Sequence, residues 1–246
     1  GTNAAVDGGG DLRSEYGASG TIDVDPADSS APGFYSKGRL AYVGKHYFRF
    51  QETGEYFIKV GAGSPENFLA YHEFDQSGNS HEYVPHESDW NSGDPTWKGG
   101  KGKGIIGAIN YLSSKDINSQ YLVGYNIDGG DGQDVWPWSS TSTKKRFDVS
   151  KLSQWEIVFQ HMQRKGVHIH FLFQETENDT EINGGDLGTE RKLYIREMVA
   201  RFGHHPAITW NMGEETDLSE SQLKEMASYI HNEDSYDHPV VVHTSP

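Results

Sequence analysis

The chain has 246 residues, enough for one large domain or a domain with an attached piece. Its net charge of −15 argues against a nucleic-acid partner, because phosphates would be repelled. It has no cysteine, which excludes disulfides, thiolate metal sites and cysteine nucleophiles. Only 34% of residues are hydrophobic while 29 are glycine, the composition of long loops around a modest core. No stretch is apolar enough to span a bilayer, so no membrane partner is expected. The opening residues Gly1-Thr2-Asn3-Ala4-Ala5 lack the basic and then apolar pattern of a leader peptide.

Residues 38–43 and 46–50 alternate in polarity around Gly44-Lys45 and read as a hairpin. A hairpin is marginal alone, so residues 1–54 read as part of a β-rich unit with a linker. From residue 55 to 246 the pattern changes. A strand is expected at 56–60, then a long loop reaching Lys103, a helix at 104–114 and a strand at 119–127. The helix starting at Ser150 spaces Leu152, Trp155, Val158 and Met162 for one apolar face and stops at Gly166. A strand at 167–173 follows, then a helix at 189–202 with Leu193, Ile195, Met198, Val199 and Phe202 inward. The series closes with a strand at 207–212, a helix at 219–231 and a strand at 240–242.

Strands rich in β-branched residues between amphipathic helices predict an α/β fold with parallel strands buried on both faces. About five strand units are expected, where a closed (β/α)8 barrel needs eight. An open doubly wound sheet is the alternative, although no Gly-x-Gly-x-x-Gly follows the first strand. In a barrel, chemistry sits where strands end. The run Ala207-Ile208-Thr209-Trp210-Asn211-Met212 leads into Gly213 and then Glu214-Glu215, an acidic pair at such an end. The pair is a candidate for general acid/base work, or a set of acids favouring the positive end of the next helix.

Several segments together carry a resemblance: Thr53-Gly54-Glu55-Tyr56-Phe57-Ile58-Lys59, Ser64-Pro65-Glu66-Asn67-Phe68-Leu69, Gly93-Asp94-Pro95-Thr96-Trp97-Lys98, Gln174-Glu175-Thr176-Glu177-Asn178-Asp179 and Trp210-Asn211-Met212-Gly213-Glu214-Glu215. Over roughly residues 32 to 246 the chain resembles a family of bacterial secreted glycoside hydrolases. These have an N-terminal β-sandwich followed by a (β/α)8 TIM-type barrel of the large retaining-glycosidase clan. The resemblance implies a poly- or oligosaccharide substrate, secretion, a two-carboxylate retaining mechanism and no cofactor. It further implies that the chain holds remnant sandwich strands in 1–54 and the first five or so β/α units in 55–246. In that clan an Asn precedes the acid/base Glu at the end of the fourth strand. Laid on this sequence, Glu215 takes the acid/base place and Glu214 stands where Asn is usual, which leaves the choice between the two open. The clan's nucleophile ends the seventh strand, beyond these residues.

Around that pair, Glu175, Glu177 and Asp179 follow the strand at 167–173 and are candidates to bind sugar hydroxyls, or solvated loop charges. Trp136 and Trp138 are candidates for stacking on sugar faces, or for packing a loop on the barrel rim. Asn211 and His243 are candidates for substrate contact.

His168-x-His170 has the alternation of a metal pair but sits early in its strand, and His204-His205 precedes one; both read as core or rim histidines, and no metal is expected. Asp128, Asp131 and Asp134 do not match a calcium loop. Lys98-Gly99-Gly100-Lys101-Gly102-Lys103-Gly104 lacks the ending of a nucleotide loop and reads as a solvated loop or a contact for an anionic polysaccharide. Two other functions stand beside hydrolysis: a carbohydrate-binding or scaffold protein with a degenerate barrel, and a metal-dependent hydrolase using the histidines. An incomplete parallel sheet leaves an open edge, so a complementary chain or oligomer is an expected partner.

Overall fold

The computed structural model describes residues 19–21, 27–61, 63–78, 80–129 and 132–244. Asp131 and parts of the 1–54 region lie outside the described residues. The described residues form two sheets. The first is antiparallel, in the order β1 (Leu40–Tyr42), β2 (Phe48–Phe50), β3 (Tyr56–Phe57). It straddles position 54, since Phe48 pairs with Phe57 and Arg49 with Tyr56. Phe34, Leu40, Phe50 and Phe57 form a small core with Ala207, and Leu40 N–H donates to the Pro206 carbonyl at 2.8 Å. The hairpin is thereby fastened to the larger sheet.

The second sheet is parallel, in the order β4 (Ser119–Val123), β5 (His168–Leu172), β6 (Ile208–Asn211), β7 (Val240–Val241). Helices α1 (Lys103–Ser114), α2 (Val149–Arg164), α3 (Thr189–Phe202) and α4 (Glu220–Glu233) alternate with these strands. Spatial order follows chain order, without the reversal that marks a doubly wound sheet. The fold is mixed α/β with a four-stranded parallel sheet. Among the described residues no helix is long and apolar enough to cross a membrane.

The strand expected at 56–60 is divided. Tyr56–Phe57 turns to pair with β2, and the chain then runs irregularly beside β4. Asn118 N–H donates to the Val60 carbonyl at 2.9 Å and Val123 N–H to the Glu66 carbonyl at 2.8 Å. Pro65 has no N–H to offer a ladder, so regular pairing stops there. The backbone passes so close that a Cβ on Gly61 would lie 2.1 Å from the Ser119 carbonyl oxygen. With this segment the main sheet has five chain passes.

The strand expected at 119–127 ends at Val123, because Asn126 leaves the ladder and exchanges backbone hydrogen bonds with Val135 at 2.7 and 2.9 Å. Helix ends follow local chemistry. The Asp148 carboxylate accepts from Lys151 N–H at the start of α2, and Ser219 and Gln222 form a capping box at the start of α4. The inward positions of α2 and α3 are buried as their spacing predicts: Leu152, Trp155, Val158 and Met162, and Leu193, Ile195, Met198, Val199 and Phe202.

Candidate active site

A cavity of about 780 Å³ runs along the inner face of the parallel sheet. His168 and Thr209 line it toward the strand starts, Tyr121, His170 and Asn211 further along, and Glu66, Glu214 and His243 at the strand ends. Alternation explains this gathering: residues two apart on one strand face one side, so His168 and His170 share a face. Glu214 follows β6 by three residues and is carried beside Glu175, which follows β5, through a parallel bridge. Glu214 N–H donates to the Gln174 carbonyl at 3.1 Å.

Carboxylate oxygens of Glu66, Glu175 and Glu214 lie within 4.8 Å of one another. Glu175 is buried, and the other two are half-buried. Glu214 Oε1 is 3.2 Å from His243 Nδ1, and Tyr121 Oη is 2.9 Å from the same nitrogen. Burial and then the charges of Glu214 and Glu66 push the Tyr121 phenol well above its ordinary pKa, so it remains a donor. Below them, His170 Nδ1 is 2.8 Å from Lys59 Nζ, and its Nε2 is 3.1 Å from Asn211 Nδ2. Burial, with Lys59 and His243 adding to it, pushes His170 down to about 3, so its imidazole is neutral at physiological pH. Lys59 is exposed as a residue, yet its ammonium rests against Tyr121 and His170, and that desolvation lowers its pKa.

The structure separates the acidic pair. Glu214 enters the cavity. Glu215 takes a left-handed backbone conformation (φ 43°) and is exposed, outside the cavity lining. The Glu214 and Glu215 carbonyls both accept from Thr176 Oγ1, at 2.9 and 2.7 Å, which holds the turn on which the pair sits.

Glu175, Asn211 and His243 are brought to the site, while Glu177 is exposed away from it. Asp179 is buried and serves the framework. Its Oδ2 accepts from Thr216 Oγ1 at 2.7 Å and Asp217 N–H at 2.8 Å, and its Oδ1 from Gln174 Nε2 at 2.7 Å. Burial raises its pKa against the lowering effect of these donors and of Arg191. Arg191, itself buried, donates to the Gln174 side chain and to the Asp179, Ile182 and Asp186 carbonyls.

The two tryptophans depart from the stacking expectation. Trp138 is fully buried against Tyr125, Phe147 and Tyr194, and Trp136 is buried beneath the Lys151 ammonium, 4.3 Å from its ring centroid. Hydrophobic burial of a large ring outweighs exposure when a loop can fold it under. In the glycine-rich basic run, Lys98 pairs with Asp75 and Lys103 lies over the Trp90 ring, so these cations serve local packing.

Sequence reasoning gave no site role to Glu66, Tyr121 or Lys59, and weighed His170 only with His168, as a metal pair or a core histidine. Glu66 stands six residues past Val60, where the expected strand ends, so strand-end spacing carried little signal for it. His170 stands only two residues beyond the buried His168, whose Nδ1 and Nε2 are satisfied by Ser119 and Thr209 at 3.0 and 2.8 Å.

No protein-family model matches the sequence, and no curated protein does. Solved structures with a similar fold include glycoside hydrolases. One, a glycoside hydrolase, aligns at 15% identity and TM-score 0.57 over 87% of this chain and 43% of its own. A family 5 glycoside hydrolase from Bacteroides vulgatus aligns at 12% identity and TM-score 0.56 over 87% of this chain and 41% of its own. The β-mannanase of the blue mussel Mytilus edulis aligns at 12% identity and TM-score 0.50 over 85% of this chain and 64% of its own. The chain therefore spans less than half the length of the first two, and the likeness is one of fold.

Proposed function

We propose that this chain belongs to a retaining glycoside hydrolase acting on a poly- or oligosaccharide, with residues 55–244 supplying the first five β/α units of a (β/α)8 barrel and the preceding hairpin the end of a β-sandwich. The carrying observation is Glu214, placed at a strand end inside a sugar-sized cavity beside Tyr121, His243, Glu66 and Glu175. Glu214, rather than Glu215, is the general acid/base.

Two unit charges 4.8 Å apart repel by on the order of 3 kcal/mol at an effective dielectric of about 20. Three such carboxylates ionise together only at a cost, which favours a proton shared within the cluster. Glu214 gives that proton to the leaving glycosidic oxygen. Tyr121, held in its phenol form, and His243 then steady the new carboxylate. In the second half-reaction Glu214 takes a proton from water. The attacking carboxylate comes from outside these residues, as the resemblance implies, and would stand about 5–5.5 Å from Glu214. Neutral His170 and Asn211 line the cavity and face the bound sugar's hydroxyls, while the buried Glu175 acts within the carboxylate cluster. A polysaccharide substrate supports a location outside the cytoplasm.

The test uses the full protein carrying this chain and a panel of polysaccharides that includes β-mannan, with the first product followed by proton NMR. Release of sugar with the anomeric configuration retained is expected. Binding without release would favour a carbohydrate-binding protein, and release with inversion would overturn the mechanism.

A further inference from the structure

At the opposite end of the sheet, Glu156 of α2 meets His204 and His205, which lie in the turn between α3 and β6. Glu156 Oε1 is 3.1 Å from His204 Nε2, and Oε2 is 3.1 Å from His205 Nε2. The three ligand atoms lie within 4.8 Å of one another. His205 is fully buried, Glu156 half-buried, and the His204 side chain is 46% exposed, which leaves one side open to solvent.

We infer that Glu156, His204 and His205 form a zinc-binding site, with solvent in the fourth position. Two imidazoles and a carboxylate are a zinc donor set, and tetrahedral bonds of about 2.0–2.2 Å put neighbouring donors roughly 3.4 Å apart. The two observed 3.1 Å separations run to different oxygens of Glu156, so the carboxylate must turn one oxygen toward both imidazoles, or bind through both, to reach that spacing. A second observation is that both imidazoles present Nε2 to the same carboxylate, with their ring centroids 4.3 Å apart. Each 3.1 Å approach holds either a proton or, in its place, a metal ion.

One group opposes the site. His205 Nδ1 is buried with no partner among the described residues, and a metal on Nε2 places its proton there. An unsatisfied buried donor costs about 1–3 kcal/mol, against the order of 10 kcal/mol that structural zinc supplies. The ion would pin the turn before β6 to α2, far from Glu214, and would serve the framework.

The test titrates zinc into the chelator-treated full chain by calorimetry, with circular dichroism confirming the fold of each variant. Since the chain has 12 histidines, the site must be located as well as counted. One zinc per chain at micromolar affinity or tighter is expected, weakened roughly 100-fold or more in both His204→Ala and Glu156→Gln. Zinc-edge absorption on the unaltered protein needs no variant and should show two imidazole nitrogens with oxygen. No binding tighter than millimolar, binding indifferent to both substitutions, or a shell without imidazole would leave the proton as the only occupant and overturn the inference.

Discussion

Asp179 ties the loop after β5 to the loop that carries Glu214, so Asp179→Asn tests whether the site depends on that strap. An amide keeps one oxygen and replaces the other with NH2. If its oxygen faces Thr216 and Asp217, the NH2 points at the Gln174 Nε2 donor, which now sits at 2.7 Å. If the amide is reversed, two donors lose their acceptor. Hydrogen bonds to a charged group contribute about 1.5–3 kcal/mol each. The buried Arg191 also loses the field of that carboxylate, although it hydrogen-bonds the Asp179 backbone carbonyl and not the carboxylate itself. The two effects share groups and do not add, so we expect about 3 kcal/mol in total. For a chain of this length that lowers Tm by roughly 10 °C, read by calorimetric unfolding. Because the Thr216–Asp217 backbone follows the Glu214-Glu215 pair, kcat should fall as well, while KM moves little. An Asp179→Asn protein that melts within about 2 °C of the parent and keeps its kcat would refute the strap.

Two further predictions concern the framework. Trp138→Ala should cost about 3–5 kcal/mol of stability by opening a cavity among Tyr125, Phe147 and Tyr194; a raised KM for glycan with an unchanged Tm would restore the stacking role instead. Asp234 is held at about 2 despite the cost of burial, because His238 and the Trp210 indole N–H donate to it. Its folded value lies below the unfolded 3.8, so the stability it adds is present above 3.8 and lost as pH falls toward about 2. Acid titration of the Tm should therefore be flatter across that window in Asp234→Asn, and an identical slope would contradict the assignment.

Much of the framework was legible in residue spacing. The apolar stripes of α2 and α3 name their buried faces, and Ser219 with Gln222 announces the start of α4. Positions set by tertiary contacts were not legible. Residues 58–61 and 63–66 lie beside β4 but leave the ladder, because Pro65 has no donor and Gly61 presses on Ser119. Trp136 and Trp138 follow a strand, as rim aromatics do, yet their loop folds them inward, and no local pattern records that. The candidate site was half legible. Strand-end logic reaches the Glu214-Glu215 pair and Glu175, but choosing within the pair depends on a left-handed backbone at Glu215 that neighbouring residues impose. Tyr121 and Glu66 join the site from separate passes of the chain, and only the sheet's register brings them to Glu214.

The central claim is that the first acid of the pair carries the proton. Its most direct measurement compares Glu214→Gln with Glu215→Gln in the full protein, on a glycoside with a poor leaving group. The account predicts a loss of about 10²–10⁴-fold in kcat for Glu214→Gln, where general acid catalysis is removed, and near-parental kcat for Glu215→Gln. The reverse order of sensitivity would contradict it.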